Sequence, residues 1–118
     1  PRRPVAAPPD GKGVAASGRG EVIVLSSAGD EIARHKLPHD RITALTHGKD
    51  VLAVASSTAG EGHEVRLFPG DKALLSHADT IQALDLSADG RWLASASYDR
   101  LIRLYDRIDG KPGPVLND

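Results

Sequence analysis

Between His77 and Asp106 three short apolar runs alternate with tight-turn signals. The runs are Ile81-Gln-Ala-Leu-Asp-Leu-Ser, Leu93-Ala-Ser-Ala-Ser97 and Leu101-Ile-Arg-Leu-Tyr105, and Asp89-Gly90 follows the first. Weaker copies of the pattern precede it twice. Small-residue runs begin at Val14, Leu52 and Leu93, a spacing of about 40 residues. Each leads to a second run: Glu21-Val-Ile-Val-Leu25, Glu64-Val-Arg-Leu-Phe68 and Leu101-Ile-Arg-Leu-Tyr105. The turns Gly29-Asp30, Gly70-Asp71 and Asp109-Gly110 follow, then weaker runs at 31–37, 72–76 and 113–116. Ahead of each small-residue run lies a further strand and turn, at Val5–Gly11, Ile42–Gly48 and Ile81–Gly90. Asp-Gly and Gly-Asp tolerate the positive φ of tight hairpins, so each unit reads as four antiparallel strands. No segment has a helical apolar period, and helix is expected to be nearly absent.

A unit of several strands recurring at this period is the sequence mark of a blade array. The units are 1–37, 38–76 and 77–118 of one repeat segment. Inner strands covered on both faces should be apolar on both, and Ala15, Ala16, Ala53, Val54, Ala55, Ala94 and Ala96 suit a strand near a tapered axis. The last strand of each unit is more polar, as an outer edge should be.

Composition narrows the chemistry more than the fold. Of 118 residues, 40% are hydrophobic and 26% charged, an ordinary balance for a globular domain. The net charge of -1 supplies no basic field for nucleic acid or anionic lipid, and neither is expected as a partner. Cysteine is absent, which removes disulfides and thiolate metal sites and leaves the compartment open. No run reaches the length of a membrane span or a signal-peptide core. Aromatics make up only 3%, so Ala, Val, Leu and Ile must fill the core. Methionine is absent, even at position 1, which reads as a processed chain or an excised piece.

The third unit resembles the WD40 repeat family. It has a His before its first strand, Ser-x-Asp-Gly at its first turn, Leu-Ala-Ser-x-Ser-x-Asp at its second, and Ile-Arg-Leu-Tyr-Asp where the family usually ends in Trp-Asp. Units one and two match by spacing, turns and strand character. Leu25-Ser26 and Phe68-Pro69 stand in place of Trp-Asp, and Pro8, Pro9 and Gly13 weaken the first strands of unit one. The resemblance implies an all-β fold: three four-stranded antiparallel blades of a WD40-like β-propeller, incomplete as a single chain. It also implies that His77, Ser95, Asp99 and Tyr105 form a structural polar network.

On paper His77, Ser95 and Asp99 also make a hydrolase set. Ser95 lies mid-strand among alanines without a strained glycine elbow, so no catalytic residue and no enzymatic activity is expected. The five histidines, His35, His39, His47, His63 and His77, lack metal-ligand spacing, and no metal or cofactor is expected. Gly18-Arg-Gly20 and Gly60-Glu-Gly62 complete no phosphate-binding motif and read as hairpin connections. The insertion Thr58–His63 is the one loop read as longer than minimal.

Closed propellers need about four to eight blades. Three blades leave apolar faces uncovered, which predicts either a longer chain or association of two or three copies of this one. The function expected is a non-catalytic scaffold for proteins or peptides. Its binding face is placed on the inter-unit and second-turn loops, around Arg19, Arg41, Glu61, His63, Asp79 and Arg100. Two alternatives stand beside it: the propeller part of a multi-domain enzyme, and a self-assembling fragment with no ligand of its own.

Overall fold

The computed structural model describes residues 4–7, 13–39, 41–58 and 61–117. These residues form twelve strands and no helix. The first sheet contains β1 (Val5–Ala6), β2 (Val14–Ser17), β3 (Glu21–Leu25) and β4 (Glu31–Lys36). The second contains β5 (Arg41–His47), β6 (Leu52–Thr58), β7 (Gly62–Phe68) and β8 (Lys72–His77). The third contains β9 (Ile81–Leu86), β10 (Trp92–Ser97), β11 (Leu101–Asp106) and β12 (Lys111–Asn117). Each sheet is a four-stranded antiparallel meander in chain order. The sheets do not close into a ring, which fits an incomplete propeller.

The turn chemistry explains the meander. Gly29, Gly70, Gly90 and Gly110 all take positive φ at the turns the dipeptides marked. Gly13 is constrained from both sides: its φ is +86°, and a Cβ there would run into the Leu25 carbonyl oxygen. The expected turn at Asp10–Gly11 lies outside the described residues.

The insertion behaves differently from its expectation. The β6–β7 ladder continues through Ser57 with His63 to Thr58 with Gly62. Thr58, Gly62 and His63 of the insertion thus belong to the ladder, and Glu61 stands in the turn between the two strands. Ala59 and Gly60 within it lie outside the described residues.

The sheets stack in chain order through their first strands, β1 and β2 against β5, and β5 and β6 against β9. Between the first and second sheets lie Ala15, Val22, Ile42, Leu52, Val54 and Phe68, and the His35 ring stacks on Phe68 with centroids 4.3 Å apart. Between the second and third lie Ala44, Ala53, Ala55, Val65, Leu75, Ile81, Leu93 and Tyr105. One sheet face thus meets the preceding sheet and the other meets the following one. The fourth strands β4 and β12 are mostly exposed, as their polarity required, while β8 buries Leu75 and His77.

Candidate interaction surface

Antiparallel order sorts the connections into two ends. The β2–β3, β6–β7 and β10–β11 turns share one end with the β4–β5 and β8–β9 links. The β1–β2, β5–β6 and β9–β10 turns share the opposite end with the third turn of each sheet. All six residues singled out for binding lie at the first end. Arg19 is in the β2–β3 turn, Arg41 opens β5, Glu61 and His63 flank the β6–β7 turn, Asp79 is in the β8–β9 link and Arg100 is in the β10–β11 turn. Five of them are exposed; His63 is half-buried, with its Nδ1 enclosed and unpartnered among the described residues.

The same end is fixed from below by a buried polar chain. His77 closes β8 and Asp99 sits in the β10–β11 turn, with 2.9 Å between His77 Nδ1 and Asp99 Oδ2. A carboxylate only accepts, so Nδ1 carries the proton. In the neutral ring Nε2 then accepts from the Ser95 hydroxyl at 2.7 Å. Asp99 also accepts from the Ala78 N–H (3.0 Å) and the Leu101 N–H (2.9 Å), and its own N–H donates to the Ser97 hydroxyl oxygen. The Ser97 hydroxyl donates to the Asp79 carbonyl at 3.0 Å. Burial works against ionisation of Asp99, but the two backbone N–H groups and the His77 ring prevail, and its pKa lies below the usual carboxylate value.

His77, Ser95 and Asp99 therefore come together as one chain of hydrogen bonds. Tyr105 is not hydrogen-bonded to them; its ring lies in the apolar core, paired across the ladder with Leu93. The Ser–His–Asp distances are those of a hydrolase triad, yet Ser95 is 0% exposed. A nucleophile must reach its substrate, and this hydroxyl reaches only His77 and the Arg103 carbonyl. The chain works as a clasp between the second and third sheets.

The clasp positions two surface groups. Tyr98 is 64% exposed at the β10–β11 turn, and its N–H donates to the Thr80 carbonyl across the gap between turn and link. Arg100, next but one, holds a positive φ of 70°. Tyr98 was absent from the residues singled out in the sequence. Its signal was available: an aromatic at a turn tip has no core to enter, and exposed aromatics are enriched at interfaces.

The opposite end carries a cleft of ≈ 790 Å³, walled by the β5–β6 turn (Gly48 to Val51), the β9–β10 turn (Ser87 to Gly90) and Arg107. Arg107 donates to the Gly90 carbonyl at 2.7 Å. Below it Arg91 pairs with Asp106 at 2.9 Å, and the Ile108 and Asp109 N–H groups also point at that carboxylate. The Arg91 hydrogen bond, aided by these N–H groups against burial, lowers the Asp106 pKa to about 2. Among the described residues no group of three His, Cys, Asp or Glu gathers to hold a metal, and no helix is long and apolar enough to cross a membrane.

The family model described as "WD domain, G-beta repeat" matches residues 71–106. The match runs from β8 to the end of β11, so it straddles two sheets and encloses His77, Ser95 and Asp99. That segment is thus similar to a WD40 repeat, and the three four-stranded antiparallel sheets are consistent with WD40-like blades.

Proposed function

We propose that the chain is a non-catalytic interaction scaffold that takes a protein or peptide segment at the end bearing Tyr98, Arg100, Asp79, Arg41, Glu61, His63 and Arg19. The family is generally non-catalytic and generally mediates protein–protein contacts. One observation carries the choice of end: the buried His77–Asp99 clasp ties the β8–β9 link to the β10–β11 turn. Loops held in place before binding lose less entropy on association. The end offers an exposed aromatic among charges of both signs, the composition of an interface rather than of a nucleic-acid groove. The uncovered end sheets are in turn covered by another copy of the chain or by further blades of a longer one.

Selection of peptides from a display library on the folded chain tests this reading. Tyr98→Ala and Arg100→Ala should each weaken the selected peptides by about tenfold or more, the effect of truncating an interface anchor. Lys49→Ala, at the opposite end, should leave binding unchanged. Contacts confined to the outer strands, 31–37 and 72–76, would contradict the assignment.

A further inference from the structure

One contact recurs between successive sheets with a change of chemistry. Ladder register makes His35 of the first sheet equivalent to Leu75 of the second, because His35 pairs with Val22 on β3 and Leu75 with Val65 on β7. It likewise makes Phe68 of the second sheet equivalent to Tyr105 of the third, because Phe68 pairs with Leu52 and Tyr105 with Leu93. Between the second and third sheets the pair is apolar, with Leu75 and Tyr105 buried in one cluster. Between the first and second an imidazole takes the leucine's place. The half-buried His35 ring lies on the buried Phe68 ring, with centroids 4.3 Å apart and planes 23° from parallel.

A titratable ring thus stands where the next sheet has a leucine. We propose that the joint between β4 and the end of β7 responds to pH: it is closed while the His35 ring is neutral and loosens when the ring takes up a proton. The joint does not depend on what the proposed binding end takes.

The surroundings decide the direction. An open hollow of ≈ 560 Å³ beside the stack, lined by Arg34, His35, Lys36 and residues 68–71, gives a proton access to the ring. The charged groups around it offer an imidazolium little. Asp71 is the carboxylate that acts on the ring from the β7–β8 turn, but Arg66 already donates to its Oδ1 at 3.0 Å and to its carbonyl at 3.2 Å. Arg34 and Lys36 flank His35 on its own strand and are both cationic; Arg34 is held by Glu21 at 2.7 Å and Glu31 at 2.6 Å. Two residues before Arg66 on the same face of β7, Glu64 is shared between Arg66 at 2.9 Å and His39 at 3.5 Å. No carboxylate is left over to compensate a buried imidazolium among these groups.

Burial against Phe68 is therefore the largest influence, and it holds the His35 pKa below the ordinary 6.5, with Asp71 acting in the opposite sense. Packing of the neutral ring contributes stability that is fully present above the unfolded value of 6.5 and is lost as pH falls below it toward the folded value.

Histidine-resolved NMR titration of the 118-residue chain tests the joint. The His35 midpoint should lie below 6.5. Asp71→Asn should lower it further, since asparagine tolerates the positive φ of 47° at that turn and lacks the opposing charge. Nuclear Overhauser contacts between the His35 and Phe68 rings should be present above the measured midpoint and lost below it, while Trp92 emission in the third sheet stays unchanged. His35→Leu gives the first sheet the side chain that the second already uses. Between about pH 8 and about pH 5 its urea midpoint should fall less than that of the unmodified chain. A His35 midpoint at or above 6.5, ring contacts that persist below the midpoint, or an equal pH dependence in His35→Leu would overturn the proposal. So would a Trp92 shift over the same range, because the whole chain would then be unfolding. The titration and Asp71→Asn decide the matter even where His35→Leu does not fold.

Discussion

His39 Nδ1 stands 2.9 Å from Thr58 Oγ1, and this pair is the second sheet's copy of His77 with Asp99. Both histidines precede the first strand of a sheet, and Thr58 and Asp99 each lie two residues beyond the serine that ends the small-residue run, Ser56 and Ser97. The copy is reduced. Val54 occupies the place of Ser95, so His39 Nε2 has no hydroxyl to meet and lies instead 3.5 Å from Glu64 Oε1. A single neutral hydrogen bond contributes about 0.5–1.5 kcal/mol net. Thr58→Val should therefore lower unfolding free energy by about that much, measured by urea denaturation, and by less than any substitution that empties the Asp99 site.

Ser56 and Ser97 occupy equivalent positions with unequal satisfaction. The Ser97 hydroxyl donates to the Asp79 carbonyl and accepts from the Asp99 N–H, whereas the buried Ser56 hydroxyl has no partner among the described residues. Burying a hydroxyl without a hydrogen bond is unfavourable. Ser56→Ala should leave the thermal midpoint unchanged or raise it. Ser97→Ala should lower stability by about 1 kcal/mol.

The acid limb of stability should carry the signature of Asp106. Its pKa is held at about 2 in the folded chain, below the ordinary 3.8, chiefly by Arg91. A carboxylate with a depressed folded pKa contributes stability that is fully present above the unfolded value and is lost as pH falls through the folded one. The loss attributable to this group should fall between about pH 4 and pH 2. In a carbon-detected NMR titration, Arg91→Gln should move the Asp106 midpoint back toward the ordinary carboxylate value. An unmoved midpoint would remove Arg91 as the cause.

Trp92, the only tryptophan, gives a local probe of the third sheet. A Cβ on Gly113 would come within 2.9 Å of Trp92 Cζ3 and 3.4 Å of Leu104 Cβ. Gly113→Ala should displace the indole, shift its emission and lower stability by about 1–3 kcal/mol, the range for overpacking. Unchanged emission would mean that β12 does not lie against Trp92.

The strands were legible because turn and run reinforce each other. Gly29, Gly70, Gly90 and Gly110 all adopt the conformation that only their neighbours in sequence were needed to predict. The His77–Ser95–Asp99 chain was legible through resemblance, since its members come from three separate elements. Tyr105 was not: a tyrosine at a strand end serves equally as a polar link or as core, and its pairing with Leu93 places it in the core. The insertion at 58–63 was legible as added length, but not that Thr58, Gly62 and His63 would extend the β6–β7 ladder, because that depends on how the two strands pair across the turn. The ≈ 790 Å³ cleft had no signature at all, since its walls are turns about 40 residues apart that meet only when sheets stack.

The account turns on the clasp as a structural device, and the unfolding free energy of Asp99→Ala measures it most directly. The substitution strips partners from His77 Nδ1 and from the Ala78 and Leu101 N–H groups. Leaving the buried His77 N–H unpaired should lower stability by roughly 1–3 kcal/mol in urea denaturation, with the β-sheet spectrum retained. A change indistinguishable from zero would contradict the account, because the two sheets would then be held without the chain of hydrogen bonds that joins them.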